Sequence, residues 1–108
     1  MRPRGAPFLL LAVAAAGALA APPCCGPQRA AALEQLLRQD CGACHGMTLR
    51  GGLGPALLPE ALAGKPDALL RGTVLDGRPG TPMPAWRGLL NEAEADWLVR
   101  RLRLGTPP

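Results

Sequence analysis

The chain has no tyrosine, one phenylalanine, two tryptophans and a single histidine in 108 residues. So few rings exclude a core built on aromatic packing, and a lone imidazole excludes any site that needs two. β-Branched residues are scarce and nowhere alternate with polar ones, so no segment reads as a strand. No apolar run reaches the ~20 residues of a membrane span. Length allows one small domain and excludes a two-domain enzyme. There is also no concentrated basic stripe of the kind nucleic-acid binding requires. Glycine and proline are abundant instead, at 14 and 13 residues. That quarter of the chain, against an average of roughly an eighth, excludes a coiled coil or helical repeat.

The first twenty residues read as an export signal. Arg2 and Arg4 form a positive start, Phe8 to Ala16 is unbroken and apolar, and Ala18-Leu19-Ala20 supplies small residues for cleavage after Ala20. Arg2-Pro3-Arg4 is not a twin-arginine pair, which favours a Sec-type route. No leucine stands three residues before Cys24 or Cys25, so lipoprotein processing is not expected. Without Arg2 and Arg4, ten basic and eight acidic side chains remain, a net +2. The expected division is residues 1–20 as cleaved signal peptide, 21–28 as flexible lead and 29–108 as one all-α domain. Stable membrane insertion is not expected, and neither is a nucleic-acid partner.

Helices are expected at Arg29–Asp40, where Ala30, Leu33 and Leu37 share a face, and at Pro66–Asp76, ended by Gly77 and weakened by Gly72. Gly46 to Pro59 and Gly77 to Gly88 read as loops. The clearest helix starts at Asn91: Glu94 completes a capping-box pattern, and Ala95, Leu98, Val99 and Leu102 follow at helical spacing. With so little aromatic bulk, a domain this small needs something else at its centre.

Cys41-Gly42-Ala43-Cys44-His45 supplies that something. C-x-x-C-H is the attachment signature of c-type haem. Two thiols one helical turn apart can each add to a vinyl group, and the next residue puts an imidazole under the iron. A thioredoxin-like pair would need a βαβ context, which is missing. A zinc site needs four ligands and finds three, two of them adjacent. A Cys41–Cys44 disulfide would leave His45 unexplained. For the second axial position the exported part offers Met47 and Met83. Met47 is too near His45 to reach the opposite haem face. Met83 lies between Pro82 and Pro84, which stiffen its backbone; the competing role is core filler.

The order helix, C-x-x-C-H, Gly-Pro loop, helix, methionine loop and C-terminal helix resembles a class I monohaem cytochrome c across residues 29–104. The resemblance implies an all-α fold of three to four helices around one covalently attached haem c. It implies Cys41 and Cys44 as thioether sites, His45 as proximal and Met83 as distal iron ligand, with Pro55 of Gly54-Pro55 orienting the imidazole. Asp40 to Gly46, Gly51 to Leu57 and Gly77 to Trp86 further resemble the small NirC-type cytochromes c of denitrification nir gene clusters. That similarity implies a periplasmic, non-enzymatic, monomeric electron carrier. Its expected partner is the haem c/haem d nitrite reductase, as donor or through a d-haem maturation factor. The alternative is a ligand-binding or catalytic haem protein whose iron lacks Met83.

Leu53, Leu57, Leu58, Leu70, Val74, Leu98 and Leu102 are expected in the haem pocket or core. Trp86 has three open roles: packing on the porphyrin, donating to a propionate, or plugging the core. Trp97 reads as packing. Arg50, Lys65, Arg71, Arg78 and Arg87 form a candidate docking surface or an ordinary solvated one. Class I relatives often carry aromatics where the first and last helices cross; here Leu37 and Arg101 stand near those positions, which leaves the crossing looser or differently registered. Cys24-Cys25 receives no role: the pair could close on itself, although consecutive Cα atoms at about 3.8 Å are closer than disulfides favour, and an intermolecular bridge or free thiols are the alternatives.

Overall fold

The computed structural model describes residues 1, 3, 5–12 and 24–105. Arg2, Arg4 and the expected cleavage site after Ala20 lie outside them. Among the described residues there is no strand, and no helix is long and apolar enough to cross a membrane.

The first helix, α1 (Pro27–Leu36), begins two residues before the expected Arg29. Gly26 is extended and Pro27 occupies the first turn, where its missing N–H costs nothing and its fixed φ is already helical. The last two residues of the expected flexible lead are therefore helical. The helix then widens into one π-helical turn, Leu37–Cys41, in which the Gly42 N–H donates to Leu37 O. It closes as α2 (Gly42–His45). The loop expected to reach Pro59 stops one residue sooner, because Pro59 opens the short α3 (Pro59–Leu62). Pro66 caps rather than enters α4 (Asp67–Asp76): its ψ of 147° is extended, and Gly77, at φ 69°, stops the helix as expected.

Helix α5 (Glu92–Arg103) carries the reciprocal cap predicted for it. Asn91 Oδ1 accepts from the Glu94 N–H at 2.8 Å, and the Asn91 N–H donates to Glu94 Oε1 at 3.0 Å. The other oxygen of Glu94 accepts from Arg29 on α1. One carboxylate thus starts the last helix and ties it to the first. Those two contacts hold the Glu94 carboxyl below the usual glutamate range, the Arg29 hydrogen bond foremost.

The core is aliphatic. Leu33, Leu37, Leu49, Leu62, Leu75, Leu90, Ala95, Leu98 and Leu102 form one buried cluster, each large side chain contributing about 1.5–3 kcal/mol by leaving water. The α1–α5 crossing, expected to be looser or differently registered, is held by a fork: Arg101 Nε and Nη2 donate to the two Glu34 oxygens at 2.9 and 2.8 Å. Leu37 is fully buried beside it. Of the expected core residues, Leu98 and Leu102 are buried, while Leu57, Leu58, Leu70 and Val74 pack half-buried against the cluster. Leu53 does not belong there, being 76% exposed.

Candidate functional site

The loop after α2 folds straight back beneath it. Gly51 N–H donates to His45 O and Gly54 N–H to Cys44 O, both at 2.8 Å. Leu49 is held in the left-handed region at φ 58°, an uncommon conformation for a leucine; its side chain is buried in return. This fold-back brings Pro55 O to 2.6 Å from His45 Nδ1. A carbonyl can only accept, so Nδ1 carries the proton and Nε2 keeps its lone pair for a metal. Gly54 is what lets the chain pass so close: a Cβ there would lie 2.8 Å from both Cε1 and Nδ1 of the imidazole.

Facing that imidazole is a cavity of about 680 Å³, within the usual range for small-molecule and cofactor sites. Cys41, Cys44, His45, Pro55, Met83 and Trp86 all line it. Met47, rejected as a ligand from the sequence, does not line it and is 71% exposed. Apolar side chains complete the wall: Leu36 of α1, Leu57 of the loop, Leu62 of α3, Leu70 and Val74 of α4, and Leu98 and Leu102 of α5. Leu53, although exposed, stands at its rim. Burial, and then the Asp40 carboxylate, push the Cys41 thiol up to about 11.

Met83 sits on a hydrogen-bonded turn. Arg78 N–H donates to Met83 O at 3.3 Å, Thr81 N–H and Oγ1 donate to Arg78 O at 3.0 and 2.6 Å, and Met83 N–H donates to Thr81 Oγ1 at 3.3 Å. Beyond the turn, Trp86 N–H donates to Val74 O and Arg87 N–H to Leu75 O, which anchors the strap to the end of α4. Gly77 is required here for its positive φ and for space, since a Cβ would stand 2.7 Å from Met83 O. The half-buried Trp86 both lines the cavity and packs on the core, so it serves as plug and as wall.

Sequence reasoning grouped five cations that the structure separates. Arg71 is bound to Asp96 at 3.1 Å and Arg87 to Asp76 at 2.7 Å; Lys65 and Arg78 line the cavity; Arg50 is exposed. Gly54 and Thr81 are the residues it missed. The first was visible only as half of a Gly-Pro pair, the second only as a polar residue between prolines. The Cys24 and Cys25 sulfurs are joined to each other, and both residues pack partly buried against the core.

The donor set and the cavity fit a flat, largely apolar macrocycle: two thiols at one side, an imidazole and a thioether on its walls. Among the described residues no group of three His, Cys, Asp or Glu side chains is placed to hold a bare ion. Comparison with known proteins agrees. The family model described as cytochrome c oxidase, cbb3-type, subunit III matches residues 28–100. Cytochrome c55X of Pseudomonas aeruginosa is 65% identical over 75 residues, 69% of this chain and 63% of that protein, so the match spans under two thirds of that relative. A solved structure described as c-type cytochrome NirC superposes with a TM-score of 0.73 at 60% identity, covering 74% of this chain and 94% of that one. Another, dihydro-haem d1 dehydrogenase NirN in complex with DHE, gives a TM-score of 0.63 at 47% identity, covering 69% of this chain and 16% of that one.

Proposed function

The chain belongs to the c-type cytochromes of the NirC and c55X kind, and from that premise we propose that it is a periplasmic one-electron carrier of the d-haem system. The observation that carries this reading is the meeting of Cys41, Cys44, His45 and Met83 on one apolar cavity. Haem c, one per chain, supplies an iron that interconverts between Fe(III) and Fe(II). Cys41 and Cys44 are its covalent tethers. His45 offers Nε2 while Pro55 O holds the proton on Nδ1, which fixes the ring and strengthens it as a donor. Met83, on the wall of the same cavity, would offer a thioether, and thioether ligation favours the reduced state. Leu70, Val74, Leu98 and Trp86 exclude water. Residues 1–20 act as a cleaved export signal, which places the chain where c-haem is attached in bacteria.

The partner is a redox enzyme of the nir system. Either the carrier delivers an electron to the haem c/haem d nitrite reductase, or it removes electrons during d-haem maturation. The second role draws support from the relative described as a dihydro-haem d1 dehydrogenase, in which a domain like this one forms 16% of a longer chain. Removing two hydrogens from a dihydro-macrocycle releases two protons to solvent and two electrons, which a one-electron carrier collects in two encounters.

The test begins with colour and mass. Protein matured with a haem-ligation apparatus is expected to carry one haem and to show, when ferric, the weak long-wavelength thioether-to-iron band. High-spin ferric bands would instead make it a ligand-binding or catalytic haem protein, and a colourless chain of apo mass would end the reading. Rapid mixing of the reduced protein with nitrite reductase, and separately of the ferric protein with a d1 dehydrogenase holding its substrate, then tells donor from acceptor.

A further inference from the structure

A c-type haem carries two carboxylates on the edge opposite its vinyl groups. Among the described residues the cavity wall has two cations, Lys65 and Arg78, and neither has an acidic partner within 4 Å there. They stand at opposite ends of α4, a ten-residue helix about 15 Å long at 1.5 Å per residue. Backbones that far apart set the two cations at different ends of that helix.

The ion pairs along α5 decide between them. Arg29 meets Glu94 and Glu34 meets Arg101, so α1 passes α5 in the same sense and carries Cys41 and Cys44 toward the end where α5 finishes. Asp67 meets Arg103 and Arg71 meets Asp96, so α4 runs in the opposite sense. Lys65, whose carbonyl accepts from Arg103, therefore shares the cysteine end. Asp40, the one acidic side chain on the wall among the described residues, is there too, next to Cys41. Arg78 follows α4 to the end where α5 begins, away from the thioethers.

Resting on the haem reading above, we infer that the Arg78 guanidinium binds a haem carboxylate, and that the turn it begins fixes the distal sulfur at that same edge. Arg78 is then a positioning residue with two attachments: its side chain to the macrocycle, and its backbone, through Met83 O and Thr81 Oγ1, to the ligand strap. A planar guanidinium suits a carboxylate better than an ammonium does, since it can donate two parallel hydrogen bonds.

The experiment uses holoprotein and measures midpoint potential by redox titration together with the ferric thioether band. Arg78→Gln leaves a carboxylate uncompensated near the iron, so its potential falls below wild type; Arg78→Lys keeps the charge and recovers most of the shift. Lys65→Gln removes a cation at the other end of the cavity wall and lowers the potential by less than Arg78→Gln does. Thr81→Val keeps the charge but opens the turn, so the thioether band is lost at a lower temperature while the potential at 25 °C moves less than in Arg78→Gln. An Arg78→Gln potential equal to wild type, or a larger shift from Lys65→Gln, overturns the assignment while a wild-type thioether band leaves the cytochrome reading standing. Colourless wild-type protein sinks both.

Discussion

Gly54→Ala and Gly72→Ala are the same chemical change with opposite expected signs. Neither glycine has a positive φ, so an alanine brings no backbone strain and only its new methyl matters. At Gly54 that methyl lies 2.8 Å from two atoms of the His45 ring, and the ring must retreat by roughly 0.6 Å to reach ordinary contact. Retreat stretches the 2.6 Å bond to Pro55 O. Overpacking costs about 1–3 kcal/mol and the weakened hydrogen bond up to about 1.5 kcal/mol more. A net loss of about 2–3 kcal/mol is expected in denaturant unfolding of the ferric holoprotein. The midpoint potential should rise, because a His45 less firmly bonded to the carbonyl donates less to ferric iron. At Gly72, inside α4, the methyl meets nothing within 4 Å. Replacing an interior helical glycine by alanine should stabilise by about 0.5–1 kcal/mol with no change in potential. Gly54→Ala within 0.5 kcal/mol of wild type, at an unchanged potential, would refute the claim that this glycine sets the imidazole.

Met83→Ala is expected to abolish the thioether-to-iron band and lower the midpoint potential; an unchanged spectrum would remove Met83 from the iron. Asn91→Ala should cost about 1 kcal/mol by freeing the first N–H groups of α5, read from the denaturation midpoint. Glu94 gives a pH signature. Its folded-state pKa is depressed, mainly by Arg29, so its contribution is present above the ordinary glutamate pKa and disappears as pH falls through the lower folded value. Glu94→Gln should therefore be less stable than wild type at neutral pH and approach it in acid; parallel pH–stability curves would contradict the pairing.

The helices were legible wherever one residue type settled a boundary. Asn91 and Glu94 announced α5, Gly77 ended α4, and the C-x-x-C-H run marked the centre of the molecule. Pro66 misled by one position because a proline suits a cap and a first turn almost equally. Pro27 and Pro59 opened helices that looked like loop, since proline breaks a helix only from its second turn onward. The α1–α5 crossing could not be read from composition. Glu34 and Arg101 are 67 residues apart, and nothing local says that they meet. The five cations, left open between a docking surface and a solvated one, could not be sorted for the same reason: a surface charge and a cavity charge look alike in sequence, and partners such as Asp96 and Asp76 appear only in the fold. Met83 was legible because prolines bracketed it, while the hydrogen bonds that hold its turn were not.

The single wide turn at Leu37–Cys41 has a rotational consequence. At about 100° per residue, an uninterrupted rod would aim Cys44 along the same line as Leu33 and Leu37, into the greasy seam that faces α5. One surplus residue swings everything after it by roughly a quarter revolution. The leucines stay fully covered while Cys44 emerges exposed. A single continuous helix can thus point its packing surface and its reactive sulfurs along different compass bearings. Removing just one amino acid between Leu37 and Cys41 would erase that offset, though every functional side chain remained in the sequence.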